Sequence, residues 1–143
     1  MSVYLSFLLS ALIVGAVPLV AARAEGEPLW KVILVTAFMP VASVGLYYSL
    51  AVHMFWSLGG WPKSIGQHGF PRALSAHADL AGGTFAVSVF CAVFFLPVAF
   101  LVCAVVPRLQ PGLRYLGIYA LACVAAIGAM AAAPEPFLDW WLD

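Results

Sequence analysis

All three histidines of the chain, His53, His68 and His77, fall in one stretch, VHMFWSLGGWPKSIGQHGFPRALSAHADLAGG, which runs from Val52 to Gly83. Neutral imidazoles carry lone pairs that bind metal ions, and Asp79 adds a carboxylate close to His77. The histidines are 15 and 9 residues apart, which matches no compact ligand motif. His53, His68, His77 and Asp79 could therefore hold a metal only if the fold assembled them. Haem b is a second chemistry open to the stretch, since transmembrane haems are held by histidines from separate helices, here His53 and His77. A quinone is a third: it needs only a histidine or tyrosine hydrogen bond and aromatic walls, which His53, His77, Tyr47 and Trp56 could supply. Against these stands a purely structural role, in which His53 bonds a neighbouring carbonyl, Gly59, Gly60 and Pro62 turn the chain, and Asp79 caps the next helix. Ser64 and Ser75 share the stretch with His68 and His77, but no motif fixes a nucleophile to a base, so no catalytic residue is expected.

The elements that must position these residues follow from composition. The 143 residues are 65% hydrophobic and 8% charged, with six basic and six acidic side chains and a formal net charge of zero. Soluble domains carry about 25% charged residues, so this chain belongs in a bilayer. Nucleic-acid binding has no basic patch to support it. Charge-free apolar runs at about 3–22, 32–58, 80–106 and 115–133 predict an all-α, polytopic membrane protein in which four transmembrane helices form one domain. Trp30, Trp56, Trp61, Trp140 and Trp141 all fall near the ends of these runs, where amphipathic rings favour the headgroup level. The first run ends in an Ala-x-Ala pattern resembling a leader cleavage site, but "MSVYLSF" lacks a basic start, and we expect a retained span.

Arg23 and Lys31 lie in the first loop and Arg108 and Arg114 in the third, against Lys63 and Arg72 in the second. The positive-inside rule then places a protein of the inner (cytoplasmic) membrane with both termini outside. Independently of orientation, two spans separate the second loop from the C-terminal tail, so both must emerge at the same face.

Within the runs there is no Asp, Glu, Lys or Arg, which disfavours an ion-coupled carrier. Pro18, Pro40 and Pro97 invite kinks. Cys91, Cys103 and Cys123 all lie in apolar runs and read as small buried hydrophobes. In the second run Thr36, Pro40, Ser43 and Tyr47 form one helical stripe, and Gly45, Ser49, His53 and Trp56 another. Tyr47 and Tyr48 lie deep enough that their hydroxyls need internal partners or a ligand. The Gly45/Ser49 pair leaves a groove for a helix or a flat ligand. The fourth run, with Ala122, Ala125, Ala126, Gly128 and Ala129, is suited to close helix approach, within the chain or to a partner. "FPRALSAHADL" predicts a short interfacial segment in the second loop. The tail "PFLDWWLD" predicts another, with Phe137, Leu138, Trp140 and Trp141 dipping into headgroups and Asp139 and Asp143 in water.

"HMFWSLGGWP", from His53 to Pro62, resembles the His-x-x-Trp-x-x-Gly-Gly signature of a family of uncharacterised small bacterial membrane proteins with about four helices. The resemblance covers about ten residues and implies that His53, Trp56, Gly59 and Gly60 act as a unit; it implies no activity. The function expected is that of a non-catalytic membrane protein: an accessory or assembly subunit of a larger complex, or a module that binds membrane lipid. A haem- or quinone-binding redox subunit is the alternative, and a small oligomeric pore lined by Thr36, Ser43 and Tyr47 a third.

Overall fold

The computed structural model describes residues 28–62 and 70–142. Its first helix, α1, spans Leu29–Leu58 directly after Pro28, whose carbonyl accepts the amides of Lys31 and Val32. Thirty residues at 1.5 Å each make a rod of about 45 Å, longer than the roughly 30 Å hydrocarbon core. Pro40 sits inside α1 on its buried face, and the helix runs through it although the Thr36 carbonyl loses its amide donor. Termination falls to Gly59, at φ +69°, the left-handed conformation that only glycine takes without cost. With it the Gly60 amide reaches back to the Phe55 carbonyl at 3.0 Å, the long closing bond of a Schellman end.

α2 spans Arg72–Phe90, passes through one wide π-helical turn at Cys91–Phe95 and continues as α3, Leu96–Val105. The Leu96 amide bonds the Cys91 carbonyl five residues back. The wide turn ends just before Pro97, which has no amide to close a regular turn and whose ring crowds the carbonyl four residues earlier. A separate interfacial segment is not what residues 72–79 form: they are the first turns of this long helix. Nothing in "RALSAHADLAGG" breaks a helix, and Pro71 sets its start by accepting the Leu74 and Ser75 amides. Asp79 therefore lies two turns inside α2 and caps nothing.

A short 3₁₀ turn at Pro107–Leu109 leads to α4, Gly112–Ala131, and a three-residue break precedes α5, Glu135–Leu142. Three helices, Leu29–Leu58, Arg72–Val105 and Gly112–Ala131, are long and apolar enough to cross a membrane. Their boundaries lie close to three of the four expected runs, and the expected first span at 3–22 lies outside the described residues. Only 22%, 17% and 22% of the most apolar window of each span is buried within the protein. The remaining apolar surface faces outward, which is stable in lipid and not in water.

The largest buried cluster lies at one end of the bundle. Tyr47, Leu50, Ala51 and Met54 of α1, Leu74 and Ala81 of α2, Met130 of α4 and Phe137 of α5 form one buried cluster. The C-terminal tail is thus turned inward where headgroup contact was expected. Phe137 has no exposed surface, and its ring packs 4.9 Å from that of Tyr47. Trp141 stands edge-on to Tyr47 at 5.1 Å, and a methyl group added at Gly82 would lie 4.0 Å from its ring edge. Aromatic edges and faces gain more against one another than against disordered headgroups. The same packing puts Trp61 5.9 Å from Phe137 and Phe70 5.9 Å from Trp140, so the tail closes the end from which the second loop emerges.

Candidate functional site

His53 is five residues before the last residue of α1 and His77 five after the first of α2. With antiparallel helices, both lie about 8 Å inside the same end of the bundle. Their rings meet across the helix pair, with Nδ1 of His53 3.0 Å from Nδ1 of His77 and ring centroids 5.3 Å apart. Both are half-buried. On the far side of His77, Nε2 is 3.1 Å from Ser49 Oγ, which itself donates to the Leu46 carbonyl at 2.9 Å.

Ser49 has one hydroxyl proton, and two proton orders satisfy the geometry. If the proton goes to the Leu46 carbonyl, Ser49 accepts from Nε2–H of His77 and Nδ1 of His77 accepts from His53; if it goes to Nε2 of His77, Nδ1–H of His77 donates to His53. Either way Leu46, Ser49, His77 and His53 form one chain of hydrogen bonds that crosses from α1 to α2 and back, able to pass a proton.

The other residues proposed for the site lie elsewhere. Tyr47 is buried on a different face of α1, where its hydroxyl donates to the Met130 carbonyl at 3.2 Å. Trp56 is 82% exposed. Asp79 is exposed and only two residues from His77, a spacing that puts two side chains on opposite sides of a helix. His68 lies outside the described residues. Among the described residues no third histidine, cysteine, aspartate or glutamate joins the pair in a metal-sized cluster. A haem would need its iron between two nitrogens on opposite faces of a porphyrin, and a pair sharing a 3.0 Å contact leaves no room for that.

The deep hydroxyls all find internal partners. Tyr48 donates to the Ala129 carbonyl at 2.6 Å, so the two tyrosines add a second donor to carbonyls in the last turn of α4 that also accept the Ala132 and Ala133 amides. Thr36 bonds the Val32 carbonyl at 2.7 Å, and Ser43 lies 3.0 Å from Ser88 of α2. Each of these serines can also reach a carbonyl one turn back on its own helix, Met39 or Thr84. With one proton each, only one of them bonds back while the other bonds across. Thr36, Ser43 and Tyr47 are thus buried and hydrogen-bonded within the protein. Ser88 was not anticipated, because a lone serine in an apolar run carries no signal of its partner. Ser49 was visible one turn before His53, on the same stripe.

Compared with known proteins, the chain matches no family model, no curated protein and no solved structure.

Proposed function

We propose that the chain is a non-catalytic integral membrane subunit that assembles with other membrane proteins at its outward helix faces, with the apolar run at 3–22 as its fourth span. The proposal includes residence in the inner membrane with both termini outside.

The observation that supports it is the uncovered small-residue surface. Gly45 and Ser49 are exposed on α1, flanked by Val41, Val52 and Trp56, and a methyl group added at Gly45 would meet no atom within 4 Å. Gly128 and Ala125 are likewise exposed on α4, with open space around Gly128. Small residues spaced one turn apart let a second helix approach closely, which is the main source of association where lipid removes the hydrophobic drive. Ser49 reaches His77 of α2 at the edge of its face, and the glycines beside it and on α4 remain open. A module that binds membrane lipid is the variant of this reading in which lipid covers the same faces.

The meeting of His53 with His77 favours a second reading, a quinone-binding redox subunit, since a hydrogen-bonded imidazole pair could accept a quinol proton. Of the aromatic walls expected for it, Tyr47 is buried and bonds the Met130 carbonyl, which leaves the exposed Trp56.

The test is a native mass spectrum of the protein extracted gently from its own membrane. A mass equal to the chain plus another protein supports the subunit reading. The bare chain or its multiples overturn it; a lipid-sized increment then selects the lipid module, and a quinone-sized one the redox reading.

A further inference from the structure

We infer that the apolar run at 3–22 lies antiparallel along the outer side of the first half of α1, on the seam formed by Trp30, Leu34, Ala37 and Val41. This rests on the reading of that run as a fourth span and deepens it by naming the surface the run occupies. Three observations carry it.

The first is an uncovered seam. Val32, Thr36, Pro40 and Ser43 form the buried side of α1, where Ser43 meets Ser88 of α2 and Val32 packs on Tyr115 of α4. On the other side Trp30, Leu34 and Val41 are 63%, 62% and 65% exposed. With Ala37 they line one shallow recess. They recur at steps of four, three and four residues, the spacing by which a second helix packs lengthwise on the first.

The second is the connection. Residues 23–28 are all that separates the run from Leu29. Links this short join antiparallel neighbours in helix bundles. α2 and α4 already hold the inner side of α1, so a further neighbour takes the outer one. A seat beyond α2 or α4 would be two helix spacings away, about 16–20 Å, and would use up most of a link that reaches about 23–25 Å fully extended.

The third is register. As a helix the run is about 30 Å long and extends back along α1 to the level of Tyr48. Setting Ala22 beside Trp30 puts Gly15 beside Ala37 and Ala11 beside Val41. The largest ring on the seam then faces an alanine, and Ala11 and Gly15, one turn apart, let the two helices close in lipid. Ser49, Val52 and Trp56 stand beyond the far end of the run, so this seat leaves them to a partner protein.

The experiment uses the full chain in lipid nanodiscs, with cysteines introduced in pairs and disulfides driven by a mild oxidant. Ala11→Cys is combined with Val41→Cys or, as controls, with Val93→Cys or Val124→Cys. Both control positions are exposed, and the Ser43–Ser88 and Tyr47–Met130 contacts set them near the depth of Val41. After denaturation trypsin cuts at Arg23 and Lys31, so only a disulfide keeps the run attached to another span. Ala11→Cys alone corrects for bridging to Cys91, Cys103 and Cys123. Cysteines bridge only when their Cα atoms come within about 7 Å, so Ala11→Cys with Val41→Cys should bridge at least about ten times faster than either control pair. Gly15→Cys with Ala37→Cys tests the same register, which keeps the test open if the first pair misfolds. Faster bridging to Val93→Cys or Val124→Cys, or no bridging at all, would overturn the seat on α1. Bridging between copies through Val41→Cys alone would also overturn it, because a second chain would then hold the seam. A water-soluble maleimide separates this failure from that of the span itself. If it labels Ala11→Cys, the run does not cross the membrane and the fourth-span reading falls too; if Ala11→Cys is shielded but bridges elsewhere, only the seat is lost.

Discussion

Tyr47 and Tyr48 are neighbours in sequence but hold the bundle in different ways. Tyr48 reaches Ala129 while half-exposed, whereas Tyr47 is buried, bonds Met130 and stacks its ring among Phe137 and Trp141. Removing only the hydroxyl, in Tyr47→Phe, should cost about 0.5–1.5 kcal/mol, the range for hydrogen bonds between membrane helices. Tyr47→Ala removes the ring as well and should cost about 3–5 kcal/mol. Denaturant unfolding in detergent separates the two, and equal losses would mean that the ring contacts contribute little. Gly59 and Gly60 divide just as sharply. Neither has an atom within 4 Å of an added methyl, but only Gly59 has positive φ. Gly59→Ala should therefore cost about 1–2 kcal/mol from backbone conformation alone, and Gly60→Ala nearly nothing. The need of both tyrosine hydroxyls for internal partners was legible from their depth. Which carbonyls they meet was not, because a carbonyl at a helix end leaves no mark on its residue type.

Among the elements, the three described spans were legible because an apolar run of sufficient length bounded by Pro, Gly and charge has one physical solution in a bilayer. Residues 72–79 were not. Ala73, Leu74, Ala76 and Ala78 interleaved with Arg72, Ser75, His77 and Asp79 read alike whether they lie flat at an interface or form the wet first turns of a long helix. What distinguishes them is Leu74, which is fully buried under the tail and ties those turns to the bundle. The wide turn at Cys91–Phe95 had only Pro97 as its sign. Contacts between elements can be tested at Ser43 and Ser88, the one hydroxyl pair joining α1 to α2 among the described residues. Ser43→Ala, Ser88→Ala and the double variant form a thermodynamic cycle. A coupling of about 0.6 kcal/mol, the average for polar pairs in membrane helices, is expected. A coupling of zero would mean that each serine bonds only its own helix.

At the scale of the whole molecule, the placement of the tail and the second loop at one end followed from span counting, and Trp61–Phe137 and Phe70–Trp140 bear it out. The inward turn of the tail did not follow, since a run of alternating aromatic and acidic residues suits a headgroup layer equally well. α5 is only eight residues long, below the length at which an isolated helix is stable in water, so its order comes from what it covers. Phe137 is wholly enclosed, while Leu142 is 74% exposed. Phe137→Ala should cost about 3–5 kcal/mol and lower the unfolding temperature of the entire bundle, because the ring joins α5 to the core residues of α1 and α2. Leu142→Ala, at an equally apolar position on the same helix, should stay within about 0.5 kcal/mol. Ending the chain after Ala133 removes Phe137 and both terminal tryptophans together and should destabilise at least as much as Phe137→Ala. It would also open Tyr47, Trp61 and Leu74 to solvent, so a dye that fluoresces in apolar surroundings should bind the shortened chain more than the full one. If the shortened chain instead unfolds at the same temperature without added dye binding, α5 rests on the bundle without holding it, and the end is closed by the α1–α2 pair alone.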